Sequence, residues 1–585
     1  MARRLRTSFA FARPAGWGNV PPGMTSFLRE LPIVLGGMGL FYGVLTFARY
    51  WSSPVTSHAK ISLSPAALPR YALFSVLRIA AAYCFSLAFT LTYGYIAAYN
   101  RKAERFMVPL LDTLQSIPVL SFLPPVMLAM VSLFPSRELG VELGSVLLIF
   151  TGQVWNMTFS FYSSLKNIPG DLREAAVTYR LKWWQRFWQL ELPYSAIGLV
   201  WNSMMSVAGG WFFLMACEMF VLGTRDFRLP GLGSYLQTAA NAGDTRAICW
   251  GLATMVTVII LLDQVVWRPV IAWAEKFKFE QVASSEIPRS PILSLLRSSE
   301  LLPFLSRTLV SPIRDRVNAQ IRIALDSPPT RKAPRLASQW ILRAAGILGL
   351  CIIAYGVVRM FQVLATISGA ELRHLLAGAG ATFLRVEVAL LLAALWTIPV
   401  GVAVGLRPKL SALAQPIAQV AASVPATALF PIILLMLIRV GGGLGVGSIL
   451  LLLLGTQWYV LFNVIAGATA IPADLKEVCD VYGLSRAERW RRLLLPGIFP
   501  YLITGLVTAS GGAWNASIVA EYFRFRGQTM STLGLGAIIS EATDGNNFPL
   551  LLAATVIMAM IVVSVNRLIW RRLYALAATR FKLEA

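Results

Sequence analysis

Apolar stretches of about 20 residues recur along this chain near 31–51, 72–99, 107–134, 145–165, 195–220 and 247–273. After a polar interval they recur near 340–364, 381–406, 416–438, 447–471, 497–523 and 550–574. Runs of that length match the thickness of a bilayer core. There every backbone N–H and C=O must be satisfied inside the chain, so each run is expected to be a helix. Composition agrees: 56% of the 585 residues are hydrophobic and 14% charged. A soluble chain carries about 25% charged residues. Too few polar residues remain to wrap several soluble cores, so a soluble multidomain enzyme is excluded.

The net charge of +24 comes from 52 Lys and Arg against 28 Asp and Glu. Nucleic-acid proteins gather such charge on a polar domain, and none is visible, so no nucleic-acid partner is expected. Short loops obeying the positive-inside rule explain it better. Residues 1–30 hold five Arg and one Glu, and the interval 275–335 holds eleven Lys/Arg and six Asp/Glu, broken by several prolines. The end carries Arg567, Arg571, Arg572, Arg580 and Lys582. An even span count and this bias place both termini and the central interval in the cytoplasm. Leu31–Trp51 then reads as an uncleaved anchor, since the basic leader has no earlier apolar core. Two His and five scattered Cys offer no metal-ligand spacing, so no metal is expected.

The chain is also duplicated. IPGDLREAAVTYRL at 168–181 matches IPADLKEVCDVYGL at 471–484, an offset of 303. The same offset pairs Gly152 with Gly455, Trp155 with Trp458, Pro193 with Pro496, Trp211 with Trp514 and Glu218 with Glu521. It also pairs the Gly-Leu-Gly triplets at 231–233 and 534–536. Upstream, SIPVLSFLP at 116–124 matches SVPATALFP at 423–431, and Arg78 matches Arg385, at offset 307. Six spans per half is an even number, so the halves share one topology, a parallel repeat. The expected organisation is a basic segment over 1–30, a first unit over 31–273, a linker over 274–339 and a second unit over 340–585.

The repeated segment between the fourth and fifth spans carries the most information. Asp474 with Glu477 three residues on is a capping-box spacing, and Gly483 suits a left-handed helix end. Ser485 with Glu488 offers a second capping box, and Pro496 opens the next span. Two short helices with a bend are therefore expected, the second studded with Arg486, Arg489, Arg491 and Arg492. Alone, that describes any amphipathic connector at the headgroups.

The spacing says more. Glu477, Gly483, Leu493, Leu495 and Pro496 resemble the EAA loop (EAA, three residues, Gly, nine residues, Ile-x-Leu-Pro) of binding-protein-dependent ABC importer permeases. The first half repeats it as Glu174-Ala175-Ala176, then Leu190, Leu192 and Pro193. The resemblance implies an all-α polytopic membrane protein of two tandem six-helix permease domains, about 12 transmembrane helices in a bacterial cytoplasmic membrane. It implies that each loop docks into a separate ATPase subunit, two in all. ATP and Mg would sit on those subunits, with no cofactor in this chain, and an extracytoplasmic solute-binding protein would deliver cargo. Departures are visible: Arg180 stands where the family has Gly, so the first loop is expected to bend differently. Glu477-Val478-Cys479 replaces Glu-Ala-Ala in the second, which implies unequal ATPase contacts. SIPVLSFLP and SVPATALFP, with Glu218 and Glu521 ahead of Gly-Leu-Gly, look like the nitrate/sulfonate/taurine group, implying a small anion as substrate.

Other residues invite pathway roles. Pro118, Pro124, Pro425 and Pro431 in the third and ninth spans are expected to kink them, either lining a flexing pathway or shaping packing. Arg78 and Arg385 lie inside spans, where a guanidinium needs a partner, a cavity or a route to the interface. They read either as attracting an anion or as snorkelling to the outer interface. Glu218 and Glu521 could partner them or gate the outside, or be interfacial structural carboxylates. Trp211 and Trp514 could line a cavity or simply pack.

No G-x-x-x-x-G-K-[ST] loop and no Gly-Lys pair occur, so ATP hydrolysis is expected elsewhere. An ion-coupled secondary transporter without an ATPase also uses duplicated halves. It would place more ionisable residues within the spans and leave the paired loops without purpose.

Overall fold

The computed structural model describes residues 61–116, 118–134, 138–222, 225–277, 358–439, 443–525, 528–545 and 547–580, with 347, 348, 351, 354 and 355. The span expected over 31–51, the basic segment 1–30 and nearly all of the linker lie outside the described residues, as does most of 340–364. Two compact units are present. One comprises Phe47–Leu262, Phe277–Gln281 and Ile367–Ala585, so it holds the described spans of the first half as far as Leu262 and those of the second half from Ile367. The other comprises Met1–Thr46, Asp263–Lys276 and Val282–Thr366; its described part is mainly the helical stretch 263–276 and helical positions up to 364.

In the first half, α1 (Leu68–Tyr99) opens with Pro69, where a missing N–H costs nothing. It stops at Asn100, whose side-chain oxygen accepts from the N–H groups of Lys102 and Ala103 and so caps α2 (Arg101–Ser116). The expected third span is broken, not kinked. After α2 the chain is extended at Pro118, makes a 3₁₀ turn over Val119–Phe122, and resumes as α3 (Leu123–Leu133). Pro118 cannot donate to a continuing helix, and the Ser121 hydroxyl donates to its carbonyl at 2.7 Å. Pro124 then sits in the first turn of α3, where proline is tolerated.

α4 (Leu139–Lys166) leads to the short α5 (Gly170–Thr178), then to one long helix, α6 (Trp183–Glu218). A two-residue hairpin pairs β1 (Val221–Leu222) with β2 (Arg225–Asp226) before α7 (Leu232–Ala242) and α8 (Thr245–Ala274). The second half repeats the order. It runs through α9 (Gly369–Gly405), α10 (Pro408–Ser423), α11 (Ala426–Arg439) and α12 (Leu444–Thr469). Then come α13 (Ala473–Val481), α14 (Arg486–Ala520), the hairpin β3 (Tyr522–Phe525) with β4 (Gln528–Ser531), α15 (Leu535–Asp544) and α16 (Phe548–Ala577). The break recurs at Val424 and Pro425, and Pro431 lies within α11.

Among the described residues, seven helices are long and apolar enough to cross a membrane: α1, α6, α8, α9, α12, α14 and α16, or their extensions by a turn. The chain is an all-α polytopic membrane protein, with two short hairpins as the only strands among the described residues. Span packing rests on small residues. Gly405 on α9 lies so close to α12 that a Cβ would meet the Ala468 methyl at 2.7 Å. The two halves meet through their broken spans: the turn Val119–Phe122 lies on α14, and α11 lies on α6. Leu120 N–H donates to the Asn515 side chain across that contact at 3.4 Å.

Candidate functional site

The two loops between the fourth- and fifth-type spans fold alike. Each short helix starts just after an extended proline, Pro169 (ψ 145°) or Pro472 (ψ 145°). Asp474 is therefore inside the first turn and is not the cap anticipated for it. The proline already turns the chain, and the carboxylate instead faces the positive end of the helix. Each helix ends in a left-handed residue: Gly483 at φ 62° and Arg180 at φ 50°. Leu181 N–H reaches back to the Ala176 carbonyl at 2.9 Å, and Leu484 N–H to that of Cys479 at 3.0 Å. The expectation that Arg180 bends the first loop differently is overturned. The same reach-back bond holds both corners, and the arginine accepts the strained backbone.

Ala176 and Cys479 are buried beneath their helices, Ala175 is half-buried, and Glu174 and Glu477 are exposed. Leu172, Leu190 and Leu192 pack on the cluster of Met157, Phe161, Leu165 and Leu199, tying the first loop to α4 and α6. Pro193 and Pro496 are half-buried and Leu495 is 42% exposed. Ser485 and Glu488 form the expected capping box: the serine hydroxyl accepts from Glu488 N–H, and the glutamate accepts from Ser485 N–H at 3.1 Å. The second short helix is not separate. It runs into the span through a π turn, over Phe187–Glu191 in α6 and over Trp490–Leu494 in α14.

The loops differ in what they present. Val177 and Tyr179 stand 74% and 79% exposed, and Val481 and Tyr482 84% and 76%. Beside the first tip lie the exposed Trp183 and Trp188; the matching positions of the second are Arg486 and Arg491. Arg186 donates to the buried Glu191 at 2.6 Å and lies over the Tyr99 ring, anchoring the first loop to α1. Arg489 instead donates to Asp480 at 2.6 Å and clamps the second loop to itself.

At the other end of α6 and α14, the arginines and glutamates picked out by the repeat come together. Arg78 does not snorkel, for its side chain is fully buried. It forks onto Glu142 (Nε 2.7 Å, Nη2 2.6 Å), and Nη1 donates to Glu218 at 2.7 Å and to the Pro230 carbonyl at 2.9 Å. Ser75 and Gly233 N–H complete the Glu218 shell at 2.7 Å each. In the second half Arg385 donates to Glu521 at 2.9 Å and to Leu533 carbonyl at 2.7 Å, while Thr382 and Gly536 N–H serve Glu521. A Cβ on Gly231 or Gly534 would overlap the facing carboxylate, which explains the first glycine of each Gly-Leu-Gly. Glu142 escaped the sequence analysis because its partner position is Gly445, so the repeat hid it; a lone carboxylate opening an apolar stretch was the available signal.

Trp211 and Trp514 are 2% and 0% exposed and pack in the interior, so neither lines an open cavity here. Pro118, Pro124 and Pro425 are buried at the broken spans. An open polar cavity of about 490 Å³ lies between α4 and α6, lined by Asn156, Ser160, Ser163, Ser164, Tyr194 and Asn202. Its α4 residues recur at helical spacing in an otherwise apolar span, a signal the sequence analysis passed over. The matching positions in the second half include Tyr459, Ala466, Gly467 and Gly505, so this polar stripe is not duplicated. Among the described residues no group of three His, Cys, Asp or Glu side chains gathers as a metal site.

Comparison with known families completes the site. The model of the binding-protein-dependent transport system inner membrane component matches twice, over residues 90–266 and 397–581. The chain belongs to this family. The double match makes it a fused pair of permease units, each reaching from the first described span of its half through the loop. It is 31% identical over 181 residues to the taurine transport system permease protein of Escherichia coli K12, covering 31% of this chain and 62% of that protein. It is 30% identical over 201 residues to the nitrate import permease protein of Leptolyngbya laminosa (34% and 66%). It is also 30% identical over 166 residues to the bicarbonate transport system permease protein of Synechococcus elongatus (28% and 56%). Each alignment spans less than two thirds of the relative's length.

Proposed function

We propose that this chain is the complete transmembrane pair of an ATP-driven importer that moves a small anion inward by alternating access. The observation that carries it is the paired loops: two helices of equal length, ended by the same left-handed corner and continuous with a span, in a chain matched twice by a permease family. Val177, Tyr179, Val481 and Tyr482 give each loop an exposed apolar tip fit for a cleft on an ATPase subunit. Glu174 and Glu477 flank those tips. The aromatic flank of the first loop and the arginine flank of the second suit unequal contacts, with two ATPases or with one homodimer. ATP and Mg belong to those subunits. Taurine, nitrate and bicarbonate in the relatives' names support a small-anion cargo, handed over by a solute-binding protein outside a bacterial cytoplasmic membrane. The positive-inside bias supports a cytoplasmic side for both termini, the linker and the two loops.

Reconstitution tests this. The chain, candidate ATPase and binding protein are placed in liposomes, and uptake of taurine, nitrate and bicarbonate is measured with ATP or a non-hydrolysable analogue. Uptake requiring hydrolysis and the binding protein is expected. Uptake that follows an ion gradient and ignores ATP would establish the secondary transporter instead.

A further inference from the structure

The two arginine clusters differ by one carboxylate, and the difference leaves a site open. In the first half the Nε/Nη2 edge of Arg78 is filled by Glu142, giving one cation between two carboxylates, all fully buried. In the second half the position of Glu142 is taken by Gly445. A Cβ placed there would meet nothing nearer than the Thr532 hydroxyl at 3.9 Å, so the backbone at Gly445 leaves room for a side chain to start towards Arg385. Arg385 keeps Glu521 as its carboxylate on the Nη1 side. Its Nη2 donates to Thr532 at 2.8 Å, and its Nε has no partner among the described residues. The side chain is 13% exposed, where Arg78 is sealed.

We propose that Arg385 binds a small planar oxyanion, of the carboxylate, nitrate or bicarbonate type, in the place that Glu142 fills in the first half. A guanidinium edge pairs such an anion through two parallel N–H···O bonds, the geometry Arg78 already makes with Glu142. The Thr532 hydroxyl stands at the rim to donate a further bond. The bound anion restores the charge pattern of the first half, one cation between two anions, and does there the work of a side chain. The first half is thus held by its own carboxylate, and the second by an exchangeable one. The site rests on the internal comparison of the two halves and holds whatever the transported cargo is.

The test uses the purified full chain in nanodiscs of zwitterionic lipid, with formate titrated against chloride at constant ionic strength. The native chain is expected to show a saturable rise in melting midpoint of about 3 °C with formate. Gly445→Glu supplies the carboxylate in cis; it is expected to raise the midpoint without formate and to abolish the titration. Arg385→Gln abolishes it too. Glu142→Gly opens the equivalent place in the first half and is expected to add a second formate response. A native midpoint that responds no differently to formate and chloride overturns the proposal, as does a full formate response retained by Gly445→Glu. Discs containing phosphatidylglycerol ask whether a tetrahedral phosphodiester takes the site in place of a planar oxyanion. A headgroup that raises the native midpoint without formate and blunts the titration overturns the planar-oxyanion assignment, whereas a formate titration alike in both lipids supports it.

Discussion

Arg180 and Gly483 occupy the same corner of two loops and adopt the same left-handed backbone, at φ 50° and 62°. An L-residue there costs about 1–2 kcal/mol that glycine does not incur. Glycine also costs entropy in the unfolded chain, so Arg180→Gly is expected to leave the melting midpoint within about 2 °C of native and to retain ATPase association. Gly483→Val, in contrast, forces a β-branched residue into that corner. It is expected to lose most ATPase co-purification while the protein still inserts. Equal binding by both variants would show that the corner does not position the loop.

The loop tips themselves are separable from their corners. Glu477→Ala and Tyr482→Ala change exposed groups that carry none of the fold, so insertion and thermal stability should stay within about 0.5 kcal/mol of native. Both are expected to weaken ATPase binding or the coupling of hydrolysis to uptake, measured by pull-down and by substrate-stimulated ATP turnover. Unchanged association and unchanged transport together would reject the coupling role.

Arg78→Ala leaves Glu142 and Glu218 buried and uncompensated, which costs about 3–5 kcal/mol for a broken buried pair. Arg385→Ala strands one carboxylate beside a partly open site and is expected to cost less. Thermal melting of detergent-solubilised protein should rank native above Arg385→Ala above Arg78→Ala. The milder Arg78→Lys keeps the charge but not the fork and should fall between native and Arg78→Ala.

Gly534→Ala would drive a methyl into the Glu521 carboxylate. Loss of yield or a midpoint drop of several degrees is expected, partly relieved by Glu521→Ala in the same chain, because removing the carboxylate makes room for the methyl. A double variant no better than the single would place the steric conflict elsewhere.

Much of this architecture was legible because its signals are local. The Ser485–Glu488 box, the left-handed Gly483 and the apolar runs each depend on a few neighbouring residues. Legibility failed where a distant partner decides the outcome. Arg78 alone reads as a snorkelling cation, and only α4 folding back places Glu142 on its free edge. Arg180 shows no residue preference for its corner; the Leu181–Ala176 bond imposes it. Asp474 reads as a cap from its spacing to Glu477, but the extended Pro472, two residues earlier, already starts the helix. The proline pair at 118 and 425 announced irregularity, yet whether a span bends or breaks depends on what lies across it, here the other half of the chain.

The π turns at Phe187–Glu191 and Trp490–Leu494 have a mechanical meaning. Each lodges an additional residue at the junction of loop and span, a kind of irregularity at which helices bend. A proline follows within two residues and takes one more N–H out of the ladder there. The junction of loop and span is thus fixed in place by sequence in both halves, three helical irregularities deep: a bend at the proline-led loop, the π turn and the proline after it. The same span that begins at this hinge-like junction ends at Glu218 or Glu521, so the loop and the buried carboxylate cluster share one helix.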